Sequence, residues 1–366
     1  MISDNTADYP CALEAKDLSV ILGGQKVLDV PLLQVHRNEV LMVIGPNGSG
    51  KTTLLLCLAS LLKPASGTIV YKGMPATDSR NVLELRRRLA VVFQESLLLN
   101  SSVWDNVTLG LRLRGVKGNE ARARAKKWLE RFGIAHLAKR QARMLSSGEG
   151  KRVSLARAFV LQPELLLLDE PFNALDTPTQ RSLLEDFENV LRETKTTTVM
   201  VTHDRNEAMS LGDRVVVLMN GAISQLGTPD DVFGFPADEE VASFVGVENI
   251  IGGKIVSSRD KIVTVKVGEN IIEAVSDYPE GTEVSACIRP EDITLARSKI
   301  TSSARNSFAG RITRTVSFGA LARVEIDCGF PLVSLVTKRS AEELDLTRDR
   351  QVYATFKATA IHIIKR

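Results

Sequence analysis

The sequence predicts an α/β domain on a largely parallel sheet, followed by a smaller all-β part. Three observations predict it. Across residues 13–236, apolar runs of strand length alternate with helical patterns, the arrangement that builds parallel crossover units. A glycine-rich loop, residues 45–52, stands between one such run and a helix-like stretch. Beyond Phe244 the pattern becomes short alternating runs, the period of strands that bury one face.

Each element follows in order. Residues 1–10 carry neither the basic stretch nor the apolar core of a secretory signal. Val40–Ile44 reads as the strand entering the glycine loop, and residues 52–62 as a core helix after it. The longest apolar run lies there, at 54–62, well short of the ~18 residues that cross a bilayer. Residues 90–93 form another short strand, and from 103 to 144 a basic helical insertion replaces the strand signal. The sheet resumes at 165–168 and 198–202, and 215–225 reads as a hairpin on an Asn220-Gly221 primed turn.

In the tail, residues 262–266 and 284–288 alternate like strands of small barrels. Asn249-Ile-Ile-Gly-Gly-Lys-Ile255 parallels Asn306-Ser-Phe-Ala-Gly-Arg-Ile312, so the tail reads as a duplication with one barrel per copy. The expected divisions are a nucleotide-binding domain at 13–236, with its helical part at about 97–150, and barrels at 246–300 and 301–366.

Composition narrows the class. The 366 residues, 44% hydrophobic and 25% charged, can house two or three cores of ordinary globular type. A net charge of +3 does not by itself point to nucleic acid. Cys11, Cys57, Cys287 and Cys328 form no CxxC pair and read as reduced thiols of a cytosolic chain.

The chemistry begins at Gly45-Pro46-Asn47-Gly48-Ser49-Gly50-Lys51-Thr52, a full G-x-x-x-x-G-K-[ST] loop, with Thr53 continuing into the helix. Its glycines let backbone N–H groups converge on phosphate oxygens, to which the helix adds its positive end. Lys51 should reach the β- and γ-phosphates and Thr52 should ligate Mg²⁺. Asp169, ending an apolar strand, is a second Mg²⁺ candidate, and Glu170 beside it suits the polarising of an attacking water. Read alone, Glu170 could be only a helix-start residue, but Pro171 favours an abrupt loop.

Between these lies Leu145-Ser146-Ser147-Gly148-Glu149, which resembles the LSGGQ signature of ATP-binding cassette (ABC) proteins. The resemblance runs in order through the first domain. Gln94 matches the loop that senses the γ-phosphate, helps bind Mg²⁺ and touches the membrane partner. Ala174-Leu-Asp176 matches the loop that communicates across the dimer, and His203 the histidine that contacts the γ-phosphate. It implies an ABC ATPase domain with a helical subdomain, with Glu170, His203, Gln94 and Lys51 catalytic. It also implies a homodimer in which Ser146, Ser147, Gly148 and Glu149 of one subunit face ATP held by the other. Two departures stand out: Ser147 and Glu149 replace Gly and Gln, and 18–22 lacks the aromatic that usually stacks on adenine. The second leaves ATP-over-GTP selectivity open.

The basic run Arg112, Arg114, Lys117, Arg122, Arg124, Lys126, Lys127 and Arg131 reads as a solvated helix face over buried Trp128, Leu129 and Phe132. Apposition to an anionic membrane leaflet is the alternative. Nucleic-acid binding is not expected, for want of interleaved aromatics.

The tail adds a second resemblance. Cys287-Ile-Arg-Pro-Glu-Asp-Ile293 is similar to the barrel (TOBE) domains of importer ATPases. Ser303-Ala-Arg-Asn306, 337–344 and 356–359 resemble the Mop domain that binds molybdate or tungstate. On that resemblance Ser303, Arg305, Lys357 and Thr359 are candidate oxyanion donors, of the type a tetrahedral dianion needs. Ser340-Ala-Glu-Glu343 reads instead as a helix capping box. Together the resemblances imply the ATP- and Mg²⁺-dependent subunit of a molybdate or tungstate importer. It would sit at the cytoplasmic face of the membrane, with a transmembrane permease, an extracytoplasmic oxyanion-binding protein and an oxyanion-sensing tail. ATPases for sulfate, sugar, polyamine or ferric iron, or an oxyanion sensor with secondary ATPase, are the alternatives.

Overall fold

A computed structural model describes residues 11–76 and 79–366; the expectation for 1–10 lies outside the described residues. The chain forms two compact units, one ending at Asp230 and one spanning Asp231–Arg366.

The first unit is organised by a six-stranded sheet in the order Ala222–Gly227, Arg214–Met219, Val40–Ile44, Thr197–Val201, Leu165–Asp169, Leu89–Val92. The pairings among the last five are parallel, and only the hairpin at the edge is antiparallel. Val40–Ile44, Leu165–Asp169 and Thr197–Val201 are buried throughout, which is why they read as unbroken apolar runs. Asn220 and Gly221 both have positive φ (49° and 83°), the primed turn that the Asn-Gly pair predicts. Helix Lys51–Leu58 buries Leu54, Leu55, Cys57 and Leu58 against this sheet. A four-stranded antiparallel sheet, led by Gln25–His36 and Cys11–Leu22, shares that core.

The helical insertion comprises Val103–Leu113, Gly118–Arg131 and Ser147–Phe159. Trp128, Leu129 and Phe132 are buried, with Trp128 stacked on Phe132 and Phe159, while Arg122, Lys126 and Lys127 are exposed. For Arg122, Lys126 and Lys127 the solvated-face reading agrees with this packing, whereas Arg114 is half-buried and donates to the Leu161 carbonyl at 3.1 Å. Among the described residues no helix is long and apolar enough to cross a membrane.

The second unit holds two antiparallel five-stranded sheets around one core. In order, one is Asn270–Val275, Ile262–Val267, Asn249–Arg259, Glu283–Ile288, Ile361–Lys365. The other is Pro331–Thr337, Leu321–Asp327, Asn306–Phe318, Gln351–Phe356, Thr294–Ala296. Strand for strand the orders match, with the suspected repeat segments starting the central strand of each. The fifth strands are exchanged. After the short 3₁₀ turns Pro290–Asp292 and Ala358–Ala360, the chain joins the sheet of the other repeat. The cut at 300/301 thus separates the two repeats but not the two sheets.

Two buried asparagines lock the repeats reciprocally. The Asn249 side chain donates to the Val333 carbonyl (2.9 Å) and accepts from the Val333 N–H (2.6 Å). Asn306 makes the same pair of bonds with Glu273, both at 2.8 Å. Asn306→Ala would leave a buried backbone N–H and C=O unpaired, at roughly 1–3 kcal/mol per group. Urea unfolding of the full chain should show a loss of about 2–4 kcal/mol for the second unit, with ATP hydrolysis at low denaturant retained.

One local expectation is corrected. Ser340 is not the cap of its helix. The helix is Lys338–Glu343 and its N-cap is Thr337, whose hydroxyl accepts from the Ser340 N–H at 3.1 Å. Thr337 ends the preceding strand with extended backbone, so the helix starts earlier than the Ser-x-x-Glu spacing suggests.

Candidate active site

The glycine loop works by close approach. A Cβ on Gly45 would lie 2.1 Å from the Leu218 carbonyl oxygen, and one on Gly50, at φ 97°, 2.9 Å from that of Val27. Only glycine lets the loop lie this tightly between the sheet and the hairpin. Lys51 is buried, its ammonium donating to the carbonyls of Gly45 and Pro46 at 3.0 Å each. Burial holds its pKa below the usual lysine value. Among the described residues the buried Ser49 hydroxyl finds no hydrogen-bond partner, a polar atom in need of a ligand. The Thr52 hydroxyl donates to Asp169 at 2.9 Å. Burial raises the Asp169 pKa and the Thr52 bond opposes it. An oxygen pair at the end of a parallel strand, beside a phosphate loop, suits Mg²⁺.

Glu170 follows Asp169 with φ 43°, a left-handed conformation that costs energy for a non-glycine residue and turns the carboxylate out of the sheet. Its backbone N–H is tied to the Val201 carbonyl at 2.9 Å. Three side chains then aim the carboxylate: Gln94 Nε2 at 3.3 Å, Asn173 Nδ2 at 2.8 Å and His203 Nδ1 at 3.1 Å. Glu170, Gln94 and His203 line one cleft of about 530 Å³ with Asn47, Gly48, Gly50, Lys51, Thr52 and Thr53. The residues singled out in sequence for phosphate and water chemistry therefore meet in one place.

Sequence reasoning missed two contributors. Asn173 carries no motif signal, because its role depends on the turn that faces it back to Glu170. Lys151 is buried in helix Ser147–Phe159, and its ammonium donates to the backbone carbonyl of Gln94. It joins the signature helix to the Gln94 loop. Lys151→Met should lower the hydrolytic kcat about 10-fold, or ~1.4 kcal/mol, with little change in nucleotide affinity. Steady-state kinetics with a separate binding titration checks this.

The signature residues do not face that cleft. Ser146, Ser147, Gly148 and Glu149 line a second one of about 510 Å³ together with Ala174, Leu175 and Asp176. Glu149 closes a capping box: its N–H donates to Ser146 Oγ at 3.3 Å and its carboxylate accepts from the Ser146 N–H at 2.7 Å. That N–H bond holds the Glu149 carboxyl below its usual pKa, and Arg140 lies 3.4 Å away. The carboxylate is thus engaged at the helix start rather than left aimed at an incoming phosphate.

Residues 28–173 match the family described as ABC transporter, and residues 302–363 match the TOBE domain. The molybdate/tungstate import ATP-binding protein WtpC of Pyrococcus horikoshii is 38% identical over 331 residues, which is 90% of this chain and 93% of that protein. The chain belongs to the ABC transporter ATP-binding proteins. The WtpC of Thermococcus kodakarensis is 41% identical over 77% of this chain and 83% of its own length. The sulfate/thiosulfate import ATP-binding protein CysA of Nitrosomonas europaea is 33% identical over 93% of this chain and 94% of its own. Among solved structures, cbiO1 of Clostridium perfringens aligns with TM-score 0.58 and 30% identity, covering 66% of this chain and 96% of its own. A dimeric, post-hydrolysis structure of the ATP-binding cassette MJ0796, bound to ADP and Pi, aligns with TM-score 0.55 and 28% identity. It covers 59% of this chain and 98% of its own.

In this ABC protein the four candidate oxyanion residues are less gathered than the nucleotide residues. Asn306 pairs with Phe356 in the ladder, so the segments carrying Arg305 and Lys357 leave the sheet side by side. Arg305 lies 3.6 Å from the Glu273 carboxylate. Ser303 and Lys357 are exposed. Thr359 lines a cavity of about 400 Å³ with Arg289, Cys287 and His362. Cys11, Cys57, Cys287 and Cys328 are all free thiols.

Proposed function

We propose that this chain is the ATP-hydrolysing subunit of a molybdate or tungstate importer. The observation that carries the cargo is the 38% identity to WtpC over 90% of the chain. The sulfate/thiosulfate import relative stands at 33%, and the polyamine import relatives stand at 33–36% over 78–86% of the chain. In this reading the glycine-loop amides and Lys51 hold the ATP phosphates, and Glu170 accepts a proton from the attacking water. His203, Gln94 and Asn173 orient the Glu170 carboxylate. Mg²⁺, when bound, would offset the charge of the β- and γ-phosphates, with Thr52, Asp169 and Gln94 to hold it.

A second copy completes the site. The signature residues open on a cleft away from their own glycine loop, and Ser146 with Gly148 at a helix start suits a γ-phosphate brought by a partner. Two chains would close on two ATP and open after hydrolysis, moving a transmembrane permease fed by an extracytoplasmic binding protein. The pair would sit at the cytoplasmic face of the membrane.

The tail would read the cargo. Ser303, Arg305, Lys357 and Thr359 supply hydroxyls and cations, completed by a second tail. Calorimetric titration with tungstate, molybdate and sulfate is the test. The first two should bind and sulfate should not, and Arg305→Ala should weaken binding at least ~10-fold, or ~1.4 kcal/mol. Absence of binding would reduce the tail to a structural module.

A further inference from the structure

We propose that Glu207 is a positioning residue for hydrolysis: its buried carboxylate braces the two residues that flank His203 and so keeps the imidazole on Glu170. The inference rests on the ATPase reading and adds a residue to the same site. Glu207 takes no part in the chemistry described above, yet it is only 3% exposed. It lies in the short helix Arg205–Leu211, which follows the strand Thr197–Val201 and the turn that carries His203.

The His203 side chain is 51% exposed, so packing alone does not fix its direction. Its backbone does, and that backbone is bracketed. The Thr202 hydroxyl donates to Glu207 Oε2 at 2.6 Å and accepts from the Asp204 N–H at 3.0 Å. One hydroxyl thus ties the residue before His203 to the residue after it, and Glu207 fixes where that hydroxyl points. The second carboxylate oxygen, Oε1, accepts from Gln180 Nε2 at 3.0 Å, which anchors it to helix Thr177–Thr194. Beyond the bracket, His203 Nδ1 stands 3.1 Å from Glu170 Oε1. Glu207, Gln180 and Thr202 line a cavity of about 210 Å³ together with His203 and Glu170.

Both donors to Glu207 are neutral. A carboxylate buried on a hydroxyl and a carboxamide is costly. Burial raises its pKa, and those two bonds oppose the rise. An apolar side chain would fill the same space at lower cost. It would also leave the Thr202 hydroxyl without its acceptor and the His203 turn without its brace.

The test is steady-state ATP hydrolysis by the full chain as wild type, Glu207→Ala, His203→Ala, the double variant and Thr202→Val. Glu207→Ala should lower kcat about 10-fold with KM held within about 2-fold, because the phosphate ligands are untouched. In the His203→Ala background the same change should cost less than about 2-fold, since a brace acts only through what it holds. Thr202→Val keeps the shape of the side chain and removes the hydroxyl. It should reproduce the kcat loss of Glu207→Ala while its circular dichroism matches the wild type. An unchanged kcat in folded Glu207→Ala, or in Thr202→Val where the alanine variant does not fold, would overturn the proposal. So would an equal loss with and without His203, the result that plain destabilisation gives. A wild type that hydrolyses no ATP would strike the ATPase reading instead.

Discussion

Glu170→Gln should abolish turnover while leaving nucleotide binding in place. General-base removal costs on the order of 10²–10⁴ in rate. Among the described residues, Glu170 is the one carboxylate that lines the phosphate cleft, and Gln94, Asn173 and His203 all converge on it. Glutamine keeps the size of the side chain and an acceptor oxygen for part of that set, so the surrounding loops should hold. Steady-state hydrolysis should drop by at least ~100-fold. Light scattering should show the variant accumulating as an ATP-bound dimer, since the step that loosens the pair is blocked. Lys51→Ala, which removes a phosphate ligand, should stay monomeric in the same assay. A variant that still turned over at a tenth of the wild-type rate would transfer the general-base role to another group.

Ser146→Asp should be almost as severe, and for a different reason. Aspartate is as good an N-cap as serine, so helix Ser147–Phe159 should keep its start and the melting temperature should hold. The change puts a negative charge where the γ-phosphate of the partner's ATP is expected. Like charges brought together in an interface cost several kcal/mol, and a loss of ~100-fold in hydrolysis, or ~2.7 kcal/mol, should follow. ATP affinity of the isolated subunit should not move, because Ser146 lines a different cleft from Lys51. Weakened binding to the single subunit would mean that the signature serves its own nucleotide.

What was legible in the sequence was whatever is decided locally. The glycine loop, the Asn220-Gly221 turn and the buried strands Val40–Ile44 and Leu165–Asp169 each carry their reason within a few residues. Glu170 was readable as a carboxylate beside Asp169, but its left-handed backbone, at the point where its N–H bonds to Val201 on the neighbouring strand, was not. Lys151 looks in sequence like one more helix lysine; only packing shows its ammonium inside, on the carbonyl of Gln94. The duplication of the tail was readable from two short segments. The exchange of fifth strands was not, because strands 294–296 and 361–365 have the same pattern whichever sheet they join. The Thr337 cap was hidden in the same way, behind a better-spaced Ser340.

The central claim is tested most directly by placing the protein with its permease in vesicles that carry the oxyanion-binding protein on the opposite side. Hydrolysis by the ATPase and uptake are then measured with tungstate, molybdate or sulfate as cargo. The account predicts that tungstate or molybdate raises both together, that sulfate raises neither, and that Glu170→Gln abolishes both. Stimulation by sulfate alone, or hydrolysis that ignores every oxyanion while another solute drives it, would contradict the account.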